Sequence, residues 1–312
     1  MISFTINVKN EIASFEGIKD ENMAMLSAIL RYSSKIDNSI TITTENSKVA
    51  RRIYTLISDT YNVQVTITDK NNNFNRNRLY VINVTDKIDF ILKDLGIYDE
   101  NNKYIDTVPD YLIDSEEDKR AYLKGIFLAC GSVNDPKTSR YHLEFFVDKQ
   151  KDANYISELL NEYYLNSKVI PKDRKFMVYI KEAEKIGDFL RIIGANDAVM
   201  YYEDIRIYRD HKNMTNRLNN MEQANIEKII NSCNEQISDI ELIFDKLGKD
   251  TLDDKTLEAA TYRIKYPESS LQELSEIMTL EIGKPITKSG LNHRMRKIKE
   301  IANRLKNSEN NE

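Results

Sequence analysis

A chain of 312 residues is longer than one small core requires and suits about two domains, each able to bury its own interior. Apolar residues make up 41% and charged residues 30%, and no apolar run approaches the ~18 residues that a membrane-crossing helix needs, so that class is set aside. The net charge of −5 argues against a nonspecific coat on nucleic acid, but residues 284–306 carry eight basic side chains against Glu300 alone, so eight minus one gives +7 there and leaves −12 for the rest.

In chain order, residues 1–20 form an N-terminal segment in which Lys9 and Glu11 interrupt the apolar positions, unlike the continuous apolar region of a secretory signal. A cytoplasmic, nucleoid-associated protein is expected. From residue 21 to 193 one order of elements is read twice: helix, strand, helix, two strands, helix. In the first half, 21–95, residues 23–32 are predicted helical, 39–44 (SITITT) alternate as a strand, and 47–61 carry the stripe Val49, Ile53, Ile57. Residues 63–68 and 79–84 alternate around the Asn-rich turn 71–77, and 88–95 close the copy. In the second half, 118–200, helices are predicted at 118–129, 153–164 and 183–193, and strands at 141–147, 168–170 and 176–180. The polar stretch 96–117, with Pro109, reads as the linker between halves.

Residues 201–250 read as a helical linker, with sparse apolar positions such as Leu218, Met221, Ile226 and Ile230, until Gly248. An all-α module follows at 251–306, before a disordered tail at 307–312. Its first helix is predicted to carry Leu257, Ala260, Thr261 and Ile264 on one face and to stop before Pro267. The second opens with Ser270 and Glu273, the capping-box spacing, and buries Leu271, Leu274, Ile277 and Met278. The third opens near Thr287 with Leu291, Met295, Ile298, Ala302 and Leu305 at helical spacing.

This third helix is the candidate recognition element, in a helix-turn-helix placed at about 269–303. A major groove admits one helix whose first turns reach base edges while later basic side chains meet phosphate. Lys288, Ser289, Asn292, His293 and Arg296 are expected outward near its start, and Arg294, Lys297 and Lys299 complete the candidate DNA contacts. The expected partner is double-stranded DNA. The turn at about 279–286 is longer than the three or four residues of the simplest motif. A membrane-surface helix would want Trp or Phe on its apolar face, and residues 271–305 have neither. Cys130 and Cys233 lack zinc spacing or a disulfide framework, and no metal or cofactor is expected.

Residues 286–298 (ITKSGLNHRMRKI) closely resemble the recognition segment of the WhiA family of sporulation and cell-division regulators, and 266–274 (YPESSLQEL) resemble its approach. Asn216, Arg217, Asn220, Ala224, Asn225, Gln236 and Ile237 resemble the family's linker pattern. The resemblance covers essentially the full chain. It implies an α+β fold: a duplicated, LAGLIDADG-like N-terminal domain of αββαββ type, a helical linker and an all-α helix-turn-helix domain. The LAGLIDADG pattern is similar to 123–131 (LKGIFLACG) and 26–34 (LSAILRYSS), where Ala28 and Gly125 would let two motif helices pack closely.

In nucleases of that type the last acidic residue of each motif holds divalent ions; here the positions are Ser33 and Cys130, poor ligands for a hard cation, so no catalytic residue is expected. Only shifted acids such as Asp135 or Asp148 could restore ligation. The resemblance implies a sequence-specific transcription regulator in division, chromosome segregation or sporulation control. Another transcription or division protein could engage the N-terminal domain. Arg51, Arg52, Arg76 and Arg78 either line a DNA-facing sheet surface or are scattered surface charges, and Asn216 and Arg217 are further candidate contacts. The alternatives are an interaction scaffold with secondary DNA binding and an active endonuclease.

Overall fold

In a computed structural model of the chain, which describes residues 3–71, 78–138 and 140–309, two units separate, Met1–Asp210 and His211–Glu312. The first opens with helix α1 (Phe4–Ile12). Its first half comprises α2 (Lys19–Ser33), β1 (Ser34–Ile36), β2 (Ile40–Thr44), α3 (Ser47–Tyr61), β3 (Val65–Asn71), β4 (Arg78–Val84) and α4 (Ile88–Asp94). The second half repeats this as α5 (Glu116–Cys130), β5 (Gly131–Val133), β6 (Leu143–Val147), α6 (Gln150–Glu162), β7 (Lys168–Lys172), β8 (Lys175–Ile180) and α7 (Ala183–Ile192). The antiparallel sheets have equivalent orders, β1-β2-β4-β3 and β5-β6-β8-β7. Registers correspond as well: Ile42 faces Ile82 in one sheet and Phe145 faces Val178 in the other.

Strands β1 and β5 add to the predicted order. Each follows its motif helix without a loop and is three residues long, too short for alternation to show. The motif helices α2 and α5 are buried on all sides along Ala24–Arg31 and Ala121–Leu128, the condition of a helix at the centre of a core. They pack against each other through Gly125, where a Cβ would stand 2.4 Å from Met25 O and 2.7 Å from Ala28 Cβ. The expected linker 96–117 is partly core: Ile97, Val108 and Leu112 are buried, and Arg31 donates to Gly96 O and Ile105 O. Its polar composition concealed three apolar anchors spaced too irregularly for a periodic pattern.

Helix α8 (Asn196–Lys246) is one continuous element that starts inside the expected second half. Glu11 accepts from the Asp197 and Ala198 amides at 2.7 and 3.0 Å, satisfying orphan donors of its first turn. From residue 211 to 230 all its side chains are exposed. Further on, Ile240 and Ile243 enter the core of the second unit with Ala259, Ala260, Leu274, Met278, Leu291, Met295, Ile298 and Ala302. That unit contains α9 (Asp254–Lys265), α10 (Leu271–Ile282) and α11 (Lys288–Glu309). The buried face of α9 is Thr256, Ala259, Ala260 and Arg263; Thr261 is exposed and Ile264 is 41% exposed, a correction to the predicted stripe. The hydrophobic count favoured Ile264, while the interior selected small residues and one arginine. Residues 307–309 continue α11 where a tail was expected, and 310–312 lie outside the described residues.

Candidate nucleic-acid interface

Local chemistry fixes each joint of the second unit. Asp253 caps α9 by accepting from Thr256 N at 2.9 Å, and Ser270 and Glu273 form the reciprocal capping box of α10. Gly283, at φ +73°, ends α10 in the left-handed conformation that glycine tolerates without Cβ strain. Thr279 Oγ1 then accepts from Ile286 N at 3.0 Å and Thr287 Oγ1 from Gly290 N at 3.1 Å, so the five residues between α10 and α11 are bound at both ends.

The α9–α10 turn is held by Arg263, whose side chain is fully buried. Its Nη1 donates to Ser269 O at 2.5 Å, to Tyr266 O at 3.3 Å and to Cys233 Sγ of α8 at 3.4 Å. The Nε and Nη2 atoms have no hydrogen-bond partner among the described residues, so the clamp carries a desolvation cost. Sequence reading missed Arg263; the spacing 256, 259, 260, 263 was the available signal.

On α11, Leu291, Met295, Ile298 and Ala302 are buried. At about 100° per residue, Ser289, His293, Arg296, Glu300 and Arg304 form the opposite ridge, with Asn292 at its edge. Lys288, Ser289, His293 and Arg296 are exposed and Asn292 is half-buried. Their side chains have no hydrogen-bond or ion-pair partner among the described residues. Lys284 in the turn and Arg304 share that condition, and sequence reasoning omitted both as contacts; Arg304 was legible as two turns beyond Arg296.

The other basic candidates flank the ridge and are engaged. Arg294 Nη1 lies 3.5 Å from Glu258 and donates to Lys255 O at 3.2 Å, and Lys297 pairs with Asp253. Lys299 pairs with Glu235 at 3.0 Å and Lys306 with the buried Asp239 at 2.6 Å. The Lys297 ammonium and the Thr256 amide hold the Asp253 carboxyl well below the usual carboxylate range, and the Asp239 carboxylate raises Lys306. Thus α11 presents a free ridge between two flanks of ion pairs.

In the first unit the three described candidate arginines do not line the open face of the sheet. Arg51 and Arg52 lie on α3, which covers one face, and Arg52 Nη2 donates to Asn22 Oδ1 of α2 at 2.7 Å. Arg78 shares the two-residue period of Ile82 and Val84, which face the helices, so it is off the open face carrying Thr41 and Asn83. Arg76 lies outside the described residues. Asn216 and Arg217 are exposed on α8.

Ser33 and Cys130, the positions compared above with metal ligands, end α2 and α5. Ser33 Oγ donates back to Ile29 O at 2.6 Å and Cys130 Sγ to Ile126 O at 3.4 Å. Burial pushes the Cys130 thiol up to about 12, and the Lys9 ammonium beside it lowers it only in part. A neutral thiol, a back-bonded hydroxyl and a neighbouring cation do not fit a divalent ion. Asp135 accepts from Lys137 N and Tyr201 OH, and Asp148 pairs with Lys175, so both acids have other partners. No helix of the described residues is long and apolar enough to cross a membrane.

Comparison with known proteins follows the same division. Residues 19–98 match the family described as WhiA N-terminal LAGLIDADG-like domain, 119–212 the WhiA LAGLIDADG-like domain, and 215–302 the WhiA C-terminal HTH domain. A relative from Bacillus cytotoxicus, named probable cell division protein WhiA, is 42% identical over 314 residues, covering 99% of this chain and 98% of its own. One of the same name from Lactobacillus gasseri is 40% identical, covering 98% and 99%. The crystal structure of full-length DUF199/WhiA from Thermatoga maritima shares the fold at a TM-score of 0.58 and 21% identity, covering 97% of this chain and 99% of that one. With two LAGLIDADG-like halves and a helix-turn-helix all matched in order along nearly its whole length, the chain belongs to the WhiA family.

Proposed function

We propose that the chain is a sequence-specific DNA-binding transcription regulator acting in cell division, chromosome segregation or sporulation control, with α11 entering the major groove. The observation that carries this reading is the partner-free ridge of Ser289, His293 and Arg296, edged by Asn292, on the helix that follows α10. Asn292 and Arg296 can each make bidentate contacts to purines, and the free Lys284, Lys288 and Arg304 suit phosphate. Arg294, Lys297 and Lys299 are secondary phosphate contacts that must first leave their acids. The LAGLIDADG-like unit does not cleave phosphodiesters on this reading, because its motif helices end in a serine and a neutral thiol, with the Lys9 ammonium of α1 beside the thiol. It can engage another transcription or division protein.

The test is retention of fragmented genomic DNA by the full chain at physiological salt, with sequencing, for the wild type and for Asn292→Ala with Arg296→Ala. Enrichment of one site, lost in the double variant, is expected. Retention without a preferred site, together with a division phenotype that survives the substitution, would replace the regulator with a scaffold. Metal-dependent nicking of supercoiled plasmid would overturn the silent-nuclease part alone.

A further inference from the structure

A cavity in the first unit is left unexplained by DNA binding. It has a volume of about 550 Å³ and lies between α1, α2, the β2–α3 loop and the last turn of α5. Its lining residues include Thr5, Asn10, Ser33, Thr43, Asn46 and Lys9. We propose that this cavity binds a small molecule bearing a phosphate or carboxylate group, with Lys9 as its counter-ion.

Lys9 is the unusual group. Its side chain is half-buried with the ammonium enclosed, and its one hydrogen bond goes to Leu128 O at 3.1 Å, near the end of α5. That bond satisfies one carbonyl at the negative end of a helix and uses one of three ammonium donors. Among the described residues no carboxylate lies within ion-pair distance of its Nζ. The neighbouring Cys130 thiol, pushed up to about 12, is neutral and supplies no counter-charge. Enclosure without a carboxylate partner pulls Lys9 down to about 8.

The rest of the lining is balanced in charge, so Lys9 carries the excess. Glu45 is its one carboxylate, against the two ammonium groups of Lys9 and Lys48, so the lining is net positive. A single phosphate or carboxylate would supply the missing charge and accept the two remaining Lys9 donors. A buried cation costs free energy unless paired, so such a ligand gains from relieving that cost as well as from its own contacts.

The experiment is thermal unfolding of the full chain against orthophosphate and malonate at constant ionic strength, repeated with Lys9→Met, Lys9→Arg and a duplex oligonucleotide. A saturable rise of the first unit's Tm is expected for the wild type, about 5 °C or more at a hundredfold excess over Kd. It should vanish in Lys9→Met and persist in weakened form in Lys9→Arg. Should Lys9→Met fail to fold, wild type labelled at lysine carbon is titrated by NMR, where the ligand must raise the Lys9 pKa saturably. The proposal is overturned by no saturable shift with either anion, by an equal shift in Lys9→Met, or by a response to the duplex alone.

Discussion

Gly125→Ala tests how closely the two motif helices approach. The added methyl would stand 2.4 Å from Met25 O and 2.7 Å from Ala28 Cβ. Neither obstacle can rotate away: one is a helix carbonyl, the other a methyl fixed directly to the backbone. The helices must therefore separate, loosening a layer in which Met25, Ala28 and Ile126 have no exposed surface. Overpacking of this kind costs about 1–3 kcal/mol, and contacts this short belong at or beyond the upper end. Alanine's helix propensity returns about 1 kcal/mol, leaving a net loss of about 2 kcal/mol. For a unit of some 210 residues that corresponds to a Tm about 4–8 °C lower. Calorimetry of the full chain would show the first unit's transition moving down while the second unit's transition and DNA binding remain. An unchanged or raised Tm would refute the close approach, because only an open gap lets alanine be neutral or stabilising.

On α11, Arg296→Ala should weaken specific DNA binding about 10- to 100-fold and relax base preference, as loss of a bidentate contact does, whereas Lys297→Ala should cost less because Lys297 already has Asp253; binding assays on target and scrambled duplexes separate them. Asp253→Asn keeps an N-cap for Thr256 N but frees Lys297, so DNA affinity should rise. The same carboxyl is held below its ordinary 3.8, so its contribution to stability is complete above that pH and disappears as pH falls through the lowered value; wild type should exceed Asp253→Asn in stability above 3.8, and the two should converge below it in acid unfolding. Lys9 gives the opposite limb. Its pKa falls from 10.5 to about 8 on folding, so between those values the unfolded chain holds more protons and stability rises with pH. Cys130, moved from 9.0 to about 12, opposes this above pH 9, so wild type compared with Lys9→Met should show the rise most clearly between about pH 8 and 9; parallel curves would remove the enclosed ammonium from the account.

The legible parts of the chain are those whose signal is local. Ser270 and Glu273 announce the start of α10 because a capping box needs only four residues, and the stripe from Leu291 to Ala302 defines the buried side of α11 by its period. Strands β1 and β5 were hidden because three residues carry no measurable alternation. The face of α9 was misread because burial there favours Ala259, Ala260 and Arg263, which a hydrophobic pattern undervalues. Ion pairs on α11 were illegible for another reason: Lys299 and Glu235 are 64 residues apart, and their meeting depends on packing of α11 beside α8. Lys9 was hidden likewise, its acceptor Leu128 lying 119 residues away.

Those ion pairs change what the C-terminal charge can do. Of the eight basic residues at 284–306, Arg294, Lys297, Lys299 and Lys306 face Glu258, Asp253, Glu235 and Asp239, which leaves Lys284, Lys288, Arg296 and Arg304 free. A protein that neutralises phosphates releases condensed counterions, and the logarithm of affinity falls against that of salt with a slope of about −0.9 per phosphate. One module using the four free cations should therefore give a slope near about −3 to −4, whereas release of all four pairs would take it toward about −7. Intermediate values would count how many pairs exchange an acid for phosphate on binding. Asp253→Asn should steepen the wild-type slope by about one unit if its pair survives in the complex, and leave it unchanged if Lys297 already moves to DNA. A wild-type slope near about −7 would show that all four pairs give way to phosphate and would refute any lasting restraint by their acids in the complex, while a slope near about −3 to −4 that steepens in the variant would show Asp253 restraining a phosphate contact.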